Sequence, residues 1–443
     1  MALISAILYL IYGAALSAIS CCFVFVAQKP ILLLAVIAAF LYLIFFAGTW
    51  IHGSKRFRLV ACNHGAVLLL IFELAAIFGI VYHIKLAFAT FPQDYMTLIW
   101  SLLIFLVVES VVFWCGMICV YLTSVQMGIT TRFVGIFTGL IPIVNVIALN
   151  YIIWTTLTEV RVEVKKDRIN AARKQQKICK TKYPVVMVHG VFFRDIKYFN
   201  YWGRIPKELE TNGATVYYGN HQSADAVADS AQELAQRIHQ IVETTGCEKV
   251  NIIAHSKGGL DCRYAIDKLG MGDYVASLTT INTPHKGCAY VDEILKRTSP
   301  KVQNFVAQWY NRIYCFLGDH DPDFMAAVGD LTASACEEFN REITEIPEGI
   351  YCQSYGSVIK HFWQAKFPVT LLYPWMKRYD GEGDGLVGAE SFPWGQKYTM
   401  LTFKRKKGVS HGDMTDLYRR NQKHFDVREF YVQLVSELRE KGL

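Results

Sequence analysis

Charge is confined to one part of this chain, and no other feature constrains its fold as strongly. Across residues 1–158 only Lys29, Lys55, Arg56, Arg58, Glu73, Lys85, Asp94, Glu109 and Arg132 are charged. The other 285 residues hold 74 of the 83 charges, about 26%, an ordinary globular density. The overall 19% charged and 53% hydrophobic content therefore averages two unlike parts. A single soluble domain, a disordered chain, a collagen-like repeat and a small disulfide scaffold are excluded.

A bilayer core roughly 30 Å thick is crossed by about 20 apolar residues in a helix. Five stretches qualify, at about 2–27, 31–51, 65–90, 97–123 and 133–155, so residues 1–158 are expected to form an all-α transmembrane domain of about five helices. The first stretch lacks a basic n-region and is too long for a signal peptide. Glu73, Glu109, Asn145 and Asn150 fall inside apolar runs, where hydrogen bonding between helices is the commoner role of polar groups. Neither internal repeats nor paired interrupted spans mark a transporter.

Residues 159–182 read as a basic juxtamembrane linker. Glu159–Tyr183 holds nine Lys or Arg against three acids, much of the net +7 of the chain. Basic residues beside a span favour the cytoplasm, so the following half is expected there, with the linker against anionic headgroups. One conflict follows: with five spans, Lys55, Arg56 and Arg58 would face the opposite side. The charge excess thus points to membrane lipid rather than nucleic acid. Twelve cysteines without a CxxC pair, seven of them beyond residue 158, suit a reducing compartment.

From Tyr183 to Leu443 short β-branched runs alternate with amphipathic stretches. Strands are expected at 184–188, 214–218, 249–254 and 275–281. Helices are expected at 204–212, 224–244, 257–269 and 427–441. Continuous apolar strands alternating with helices imply an α/β domain whose mostly parallel sheet is covered on both faces.

The chemistry lies in the turns. Strand Val250–Ile253 runs into Ala254-His255-Ser256-Lys257-Gly258 and then a helix. A nucleophile elbow needs this context, with small residues two before and two after a serine held in strained backbone; Ala254 replaces the usual first glycine. A serine at a helix N-terminus also meets free N–H groups suited to an oxyanion. Those donors would be the N–H of Lys257 and, after His189-Gly190 at the end of an earlier strand, that of Val191. A serine needs a base and the base an orienting acid, in the chain order Ser, Asp, His. Asp384 in a Gly-rich loop and His411 on a late loop fit. Asp380 and Glu382 compete for the acid. His285 and His361 break the order, and His285 is expected to line the pocket with His189 and Gly190. An insertion at about 286–349 carries Phe305, Trp309, Tyr310, Tyr314, Phe316 and Phe324, as a lid or as ordinary helix core.

These motifs resemble the bacterial triacylglycerol lipases of the α/β-hydrolase superfamily. The resemblance covers about residues 183–443 and rests on His189-Gly190, Asn251–Leu260, Thr283-Pro284-His285, Gly383–Val387 and Ser410–Asp413. It also takes in Asp330-Leu331-Thr332, Phe339-Asn340 and Tyr351–Tyr355. It implies an α/β-hydrolase fold, Ser256 as nucleophile, His411 as base, Asp384 as orienting acid and a lipid ester as substrate, with no cofactor. Many such lipases hold a structural calcium, and Asp413 falls where one ligand would. Residues 349–379 contain no Asp or Glu for its partner, so no metal is expected. The membrane half has no counterpart in the resemblance. A membrane-anchored serine esterase is the leading expectation; a lipid acyltransferase or phospholipase with the same triad, or an inactive membrane scaffold, are the alternatives. Oligomeric state is not readable.

Overall fold

The structure, a computed structural model, describes residues 2–50, 54–139, 141, 143–191, 200–317, 319–343, 346–366, 369–404 and 408–443. The chain divides into two compact units, Met1–Ala172 and Arg173–Leu443.

The first unit is helical: α1 (Ala2–Val26), α2 (Pro30–Phe46), α3 (Phe57–Thr90), α4 (Tyr95–Thr123), α5 (Gly128–Thr138) and α6 (Val144–Arg173). Among the described residues three helical segments are long and apolar enough to cross a membrane: Ile7–Val26, α3 and α4. Two of the five expected stretches, 31–51 and 133–155, are not each covered by one helix. α2 has 17 residues, about 25 Å of helix, which is short of a full crossing. The expected fifth span is broken, with α5 ending at Thr138 and α6 starting at Val144 around a sequence that contains Gly139 and Pro142. At 11 residues α5 is too short to cross. α6 then runs unbroken through position 158 to Arg173, so the end of the last apolar stretch and the first part of the basic linker belong to one helix.

Polar groups inside this unit find partners on other helices. Asn150 Nδ2 on α6 donates to Glu73 Oε1 on α3 at 2.8 Å, and Ser20 Oγ on α1 donates to Glu109 Oε1 on α4 at 3.4 Å. At one end of the helices Glu159 is buried. It accepts from Arg58 Nη1 at 2.5 Å, Ser124 Oγ at 2.7 Å and the Gln126 N–H at 3.1 Å. Arg56 pairs with Glu163 at 3.1 Å and with Asp167 at 2.8 Å. The start of α3, the end of α4 and the polar half of α6 therefore share one end.

The second unit is built on six parallel strands: β1 (Val185–Val188), β2 (Val216–Tyr218), β3 (Val250–His255), β4 (Val275–Ile281), β5 (Tyr351–Ser357) and β6 (Lys397–Leu401). Their order across the sheet is β2-β1-β3-β4-β5-β6. Between and after them come α7 (Ile205–Thr211), α8 (Val227–Thr245), α9 (Gly258–Lys268), α10 (Ala289–Arg297), α11 (Pro300–Leu317), α12 (Phe324–Gly329), α13 (Ala333–Glu342), α14 (Tyr373–Tyr379) and α15 (Val427–Glu440). The four expected strands and four expected helices appear within about three residues of their predicted ends.

Both faces of the sheet are covered, which explains why β1 is apolar at every position. Val185 and Met187 point to one face and pack with Trp202, Leu209, Tyr431 and Val435 of α7, α15 and neighbouring turns. Val186 and Val188 point to the other and pack with Leu234, Ile238 and Ile266 of α8 and α9. Burying each such side chain contributes about 1.5–3 kcal/mol. This is the mostly parallel α/β architecture expected, and it leaves the carboxyl ends of the strands free for a site.

The expected lid aromatics divide into two sets. Tyr310, Tyr314 and Phe324 stack on one another, with Tyr310 and Phe324 centroids 4.4 Å apart. Phe305, Trp309 and Phe316 on α11 are exposed. Core packing accounts for the first set only.

Candidate active site

The turn after β3 holds Ser256 at φ 57°, in the left-handed region that L side chains avoid. A non-glycine residue there costs on the order of 1–3 kcal/mol and persists only where its surroundings over-determine it. Those surroundings are visible. The Ser256 N–H donates to Ile281 O of β4 at 3.0 Å. A Cβ on Gly258 would lie 2.3 Å from His189 O, and one on Gly190 would lie 2.7 Å from Ser256 Cβ. The His189-Gly190 turn after β1 and the serine turn after β3 thus nest together because two glycines leave the space.

Asp384 and His411 meet at the same ends of the strands. Fully buried Asp384 accepts from His411 Nδ1 at 2.6 Å, from Asn282 Nδ2 at 2.6 Å, and from the N–H groups of Leu386 and Val387 at 2.9 and 2.8 Å. The His411 N–H donates to Asp384 O at 3.0 Å, so main chain and side chain both tie the two loops. On its other side the His411 ring packs against His255, with centroids 4.4 Å apart. Among the described residues no hydrogen bond joins Ser256 Oγ to His411; such bonds often tighten only when substrate binds. Burial, then the proximity of His411, holds the His255 imidazole well below its ordinary pKa, and its Nδ1 lies 2.6 Å from the Tyr201 hydroxyl.

The competitors have other employment. Asp380 accepts from the N–H groups of Ala289 and Tyr290 at 2.7 and 2.9 Å, capping α10. Glu382 pairs with Lys360 and Lys377 at the surface. His361 stacks on Trp363. His285, expected to line a pocket, is a buried ring stacked on Trp394 at 4.9 Å, with Thr280 Oγ1 3.0 Å from its Nε2. Burial and the neighbouring Arg263 keep it neutral.

Of the oxyanion candidates, Lys257 begins the turn into α9 and Val191 is buried directly after Gly190; residues 192–199, which follow, lie outside the described residues. His189 is fully buried. Desolvation, then the proximity of His221, pushes its pKa down to about 3.

Asp413 does not fit a divalent cation. Its Oδ1 accepts from Lys366 Nζ at 2.6 Å and its Oδ2 from Ser410 Oγ at 2.7 Å, so both oxygens are taken and the charge is met by an ammonium. Among the described residues no group of three or more His, Cys, Asp or Glu could hold a metal. Lys366 is the residue that the sequence reading missed. It falls within the very stretch noted for its lack of acids.

Asn282 was missed as well. It sits at φ 49° after β4 and braces Asp384, but no spacing rule connects an asparagine to a carboxylate 102 positions away. Lys257 with Asp261 was half legible, since the two are four apart at the start of a helix.

Parts of the chain are similar to known proteins. Residues 184–316 match the family model described as palmitoyl protein thioesterase. A triacylglycerol lipase of Pseudarthrobacter phenanthrenivorans is 35% identical over 174 residues, covering 36% of this chain and 54% of that protein. One of Vibrio cholerae is 31% identical over 195 residues, covering 42% and 61%. The chain thus spans a little over half the length of these relatives. The crystal structure of Staphylococcus hyicus lipase aligns with a TM-score of 0.46 at 20% identity, covering 59% of this chain and 97% of that one. The second unit is thus a parallel α/β domain similar in part to triacylglycerol lipases, preceded in this chain by a helical unit.

Proposed function

We propose that this protein is a membrane-anchored serine hydrolase that cleaves acyl esters of lipids through an acyl-enzyme. The observation that carries the reading is a serine at positive φ on a strand-to-helix turn, beside a buried Asp384–His411 pair. In the proposed cycle Ser256 Oγ attacks the acyl carbonyl while His411 Nε2 takes its proton. Asp384 holds the imidazole by Nδ1–H and stabilises the imidazolium. The N–H groups of Lys257 and Val191 receive the charge developing on the carbonyl oxygen. His411 returns the proton to the leaving alcohol. Water, deprotonated by the same imidazole, then attacks the acyl-Ser256 carbonyl, releasing the fatty acid and regenerating the serine. Hydrolysis of acyl nitrophenyl esters by the full-length protein in detergent, and its loss in Ser256→Ala, tests the reading.

A second reading is favoured by the palmitoyl protein thioesterase match over residues 184–316. The same steps cleave an acyl thioester, whose leaving thiolate is easier to expel. Relative kcat/KM on matched oxygen and sulfur esters of one fatty acid decides between them.

The first unit also supports an inference about the side of the membrane. Arg56, Arg58 and Arg132 lie at the end shared with Glu159, Glu163 and Asp167, where α6 leaves the apolar region. With α5 entering and α6 returning at that end, the conflict raised by five spans disappears. Lys55, Arg56 and Arg58 then stand on the same side as the basic linker. The positive-inside rule supports a cytoplasmic assignment for that side and for the hydrolase that follows it.

A further inference from the structure

Directly beneath the serine turn lies a buried charged network that the proposed cycle does not use. The Lys257 side chain is 1% exposed, as is that of Asp261, and Lys257 Nζ donates to Asp261 Oδ1 at 2.7 Å and to Ser230 Oγ of α8 at 2.8 Å. The other Asp261 oxygen lies 3.5 Å from His221 Nε2. The His221 ring stacks on that of His189, centroids 4.1 Å apart and planes 6° from parallel. His189 in turn sits between the carbonyls of His221, at 3.1 Å, and Gly190, at 3.0 Å. The series begins at the residue after the nucleophile and ends two positions before Val191.

Stability alone does not account for it. Removing a lysine and an aspartate from water costs several kcal/mol per ion, and well-packed apolar residues of the same volume are often neutral or stabilising. What an ion pair adds is direction. A two-point ammonium bridge from α9 to α8, continued by a parallel ring stack, fixes where two loops stand, whereas apolar packing tolerates a slide. A donor contributes to catalysis only if it already points at the oxyanion, and a displacement of about 1 Å can cost roughly 100-fold in rate.

We propose that Lys257, Asp261, His221 and His189 form a positioning network that holds the Lys257 and Val191 N–H groups in register as one oxyanion hole. Its side chains touch neither substrate nor reacting atoms; they act through the two backbone donors. The inference rests on the serine-hydrolase reading given above.

Two variants of the full-length protein in detergent test it: Asp261→Asn, which keeps shape and removes charge, and the double variant Lys257→Met with Asp261→Leu, which leaves no buried ion unpaired. Three quantities are read: kcat and KM on a nitrophenyl acyl ester, the inhibition constant of an arylboronic acid that mimics the tetrahedral intermediate, and the thermal midpoint. The network predicts a 10–100-fold fall in kcat with KM within twofold. Boronate affinity should fall in proportion to kcat/KM, while the double variant keeps a wild-type midpoint. A double variant with wild-type kcat and boronate affinity would overturn the network. So would losses of kcat that track loss of thermal midpoint, because a merely structural pair behaves that way. A wild-type protein with no esterase activity and no fluorophosphonate adduct on Ser256 would remove the serine-hydrolase reading and the network together. An active wild type with unaffected variants removes the network alone.

Discussion

Asp384 Oδ2 lies 2.6 Å from His411 Nδ1 and equally 2.6 Å from Asn282 Nδ2. One oxygen thus serves the base and a brace at once. Asn282 is itself fixed, since it also donates to Ser357 Oγ at 2.8 Å. Truncating Asn282→Ala leaves the carboxylate buried with one donor fewer on Oδ2. We expect kcat to fall about 10–100-fold with KM little changed. Asp384→Asn, which forces the wrong imidazole tautomer, should cost on the order of 10⁴ in kcat. Steady-state kinetics on one ester compares the two.

Lys366 supplies the charge opposite Asp413, and its Nζ also lies 4.2 Å from the centre of the Tyr418 ring. Chelators should therefore leave activity unchanged. Lys366→Met should lower stability by about 1–3 kcal/mol, because a largely buried carboxylate loses its partner. The loop carrying His411 should loosen first. Activity after EDTA dialysis and denaturant titration of the variant check both; a metal requirement would contradict this account of Asp413.

Acid should destabilise the second unit before its carboxylates titrate. His189, His255 and His285 are buried and neutral, each with its pKa pushed below the ordinary 6.5, His189 to about 3. The unfolded chain binds their protons below pH 6.5 and the folded one does not, so stability falls as pH drops from about 6.5 toward 3. Asp261 works the other way. Burial raises it to about 6 against the pull of Lys257, so between about pH 4 and 6 the unfolded form is the more ionised, and this group favours the folded state as pH falls. Burial also raises Asp225, Asp330 and Asp380, which act in the same sense as Asp261 and offset part of the histidine effect. The slope should be about 1.4 kcal/mol per pH unit for each uncompensated histidine. Thermal midpoints between pH 7.5 and 4.5 measure it, and Asp261→Asn should steepen the fall.

Gly258→Ala places a methyl group 2.3 Å from His189 O, backbone against backbone, where nothing flexible can yield. Loss of soluble expression or a destabilisation above about 2 kcal/mol is expected. Gly246→Ala is the control. A Cβ there meets nothing within 4 Å, so its only penalty is the positive φ of 69°, roughly 1 kcal/mol.

The α/β half was legible because its signals are local. Strands such as Val185–Val188 and Val250–His255 are buried on both faces, and Ser256 announces itself through the small residues around it. Asp384 and His411 could be ranked by chain order. Asn282 and Lys366 could not, since their partners lie 102 and 47 positions away and only the folded sheet brings them near. The helix boundaries of the first unit were less legible, for a physical reason. Hydropathy measures burial in lipid but not helix continuity, so residues 133–155 scored as one span although Gly139 and Pro142 fall between α5 and α6. The pairing of Arg58 with Glu159, 101 positions apart, was likewise invisible, and with it the end of the helices to which Arg58 belongs.

The central claim, a nucleophilic Ser256 served by His411, is tested most directly by mass spectrometry of the full-length protein after treatment with a fluorophosphonate probe. The account predicts a stoichiometric covalent adduct on the peptide containing Ser256, absent in Ser256→Ala and formed at least 100-fold more slowly in His411→Ala. An unmodified Ser256 in a folded protein, or labelling that proceeds at the wild-type rate without His411, would contradict it.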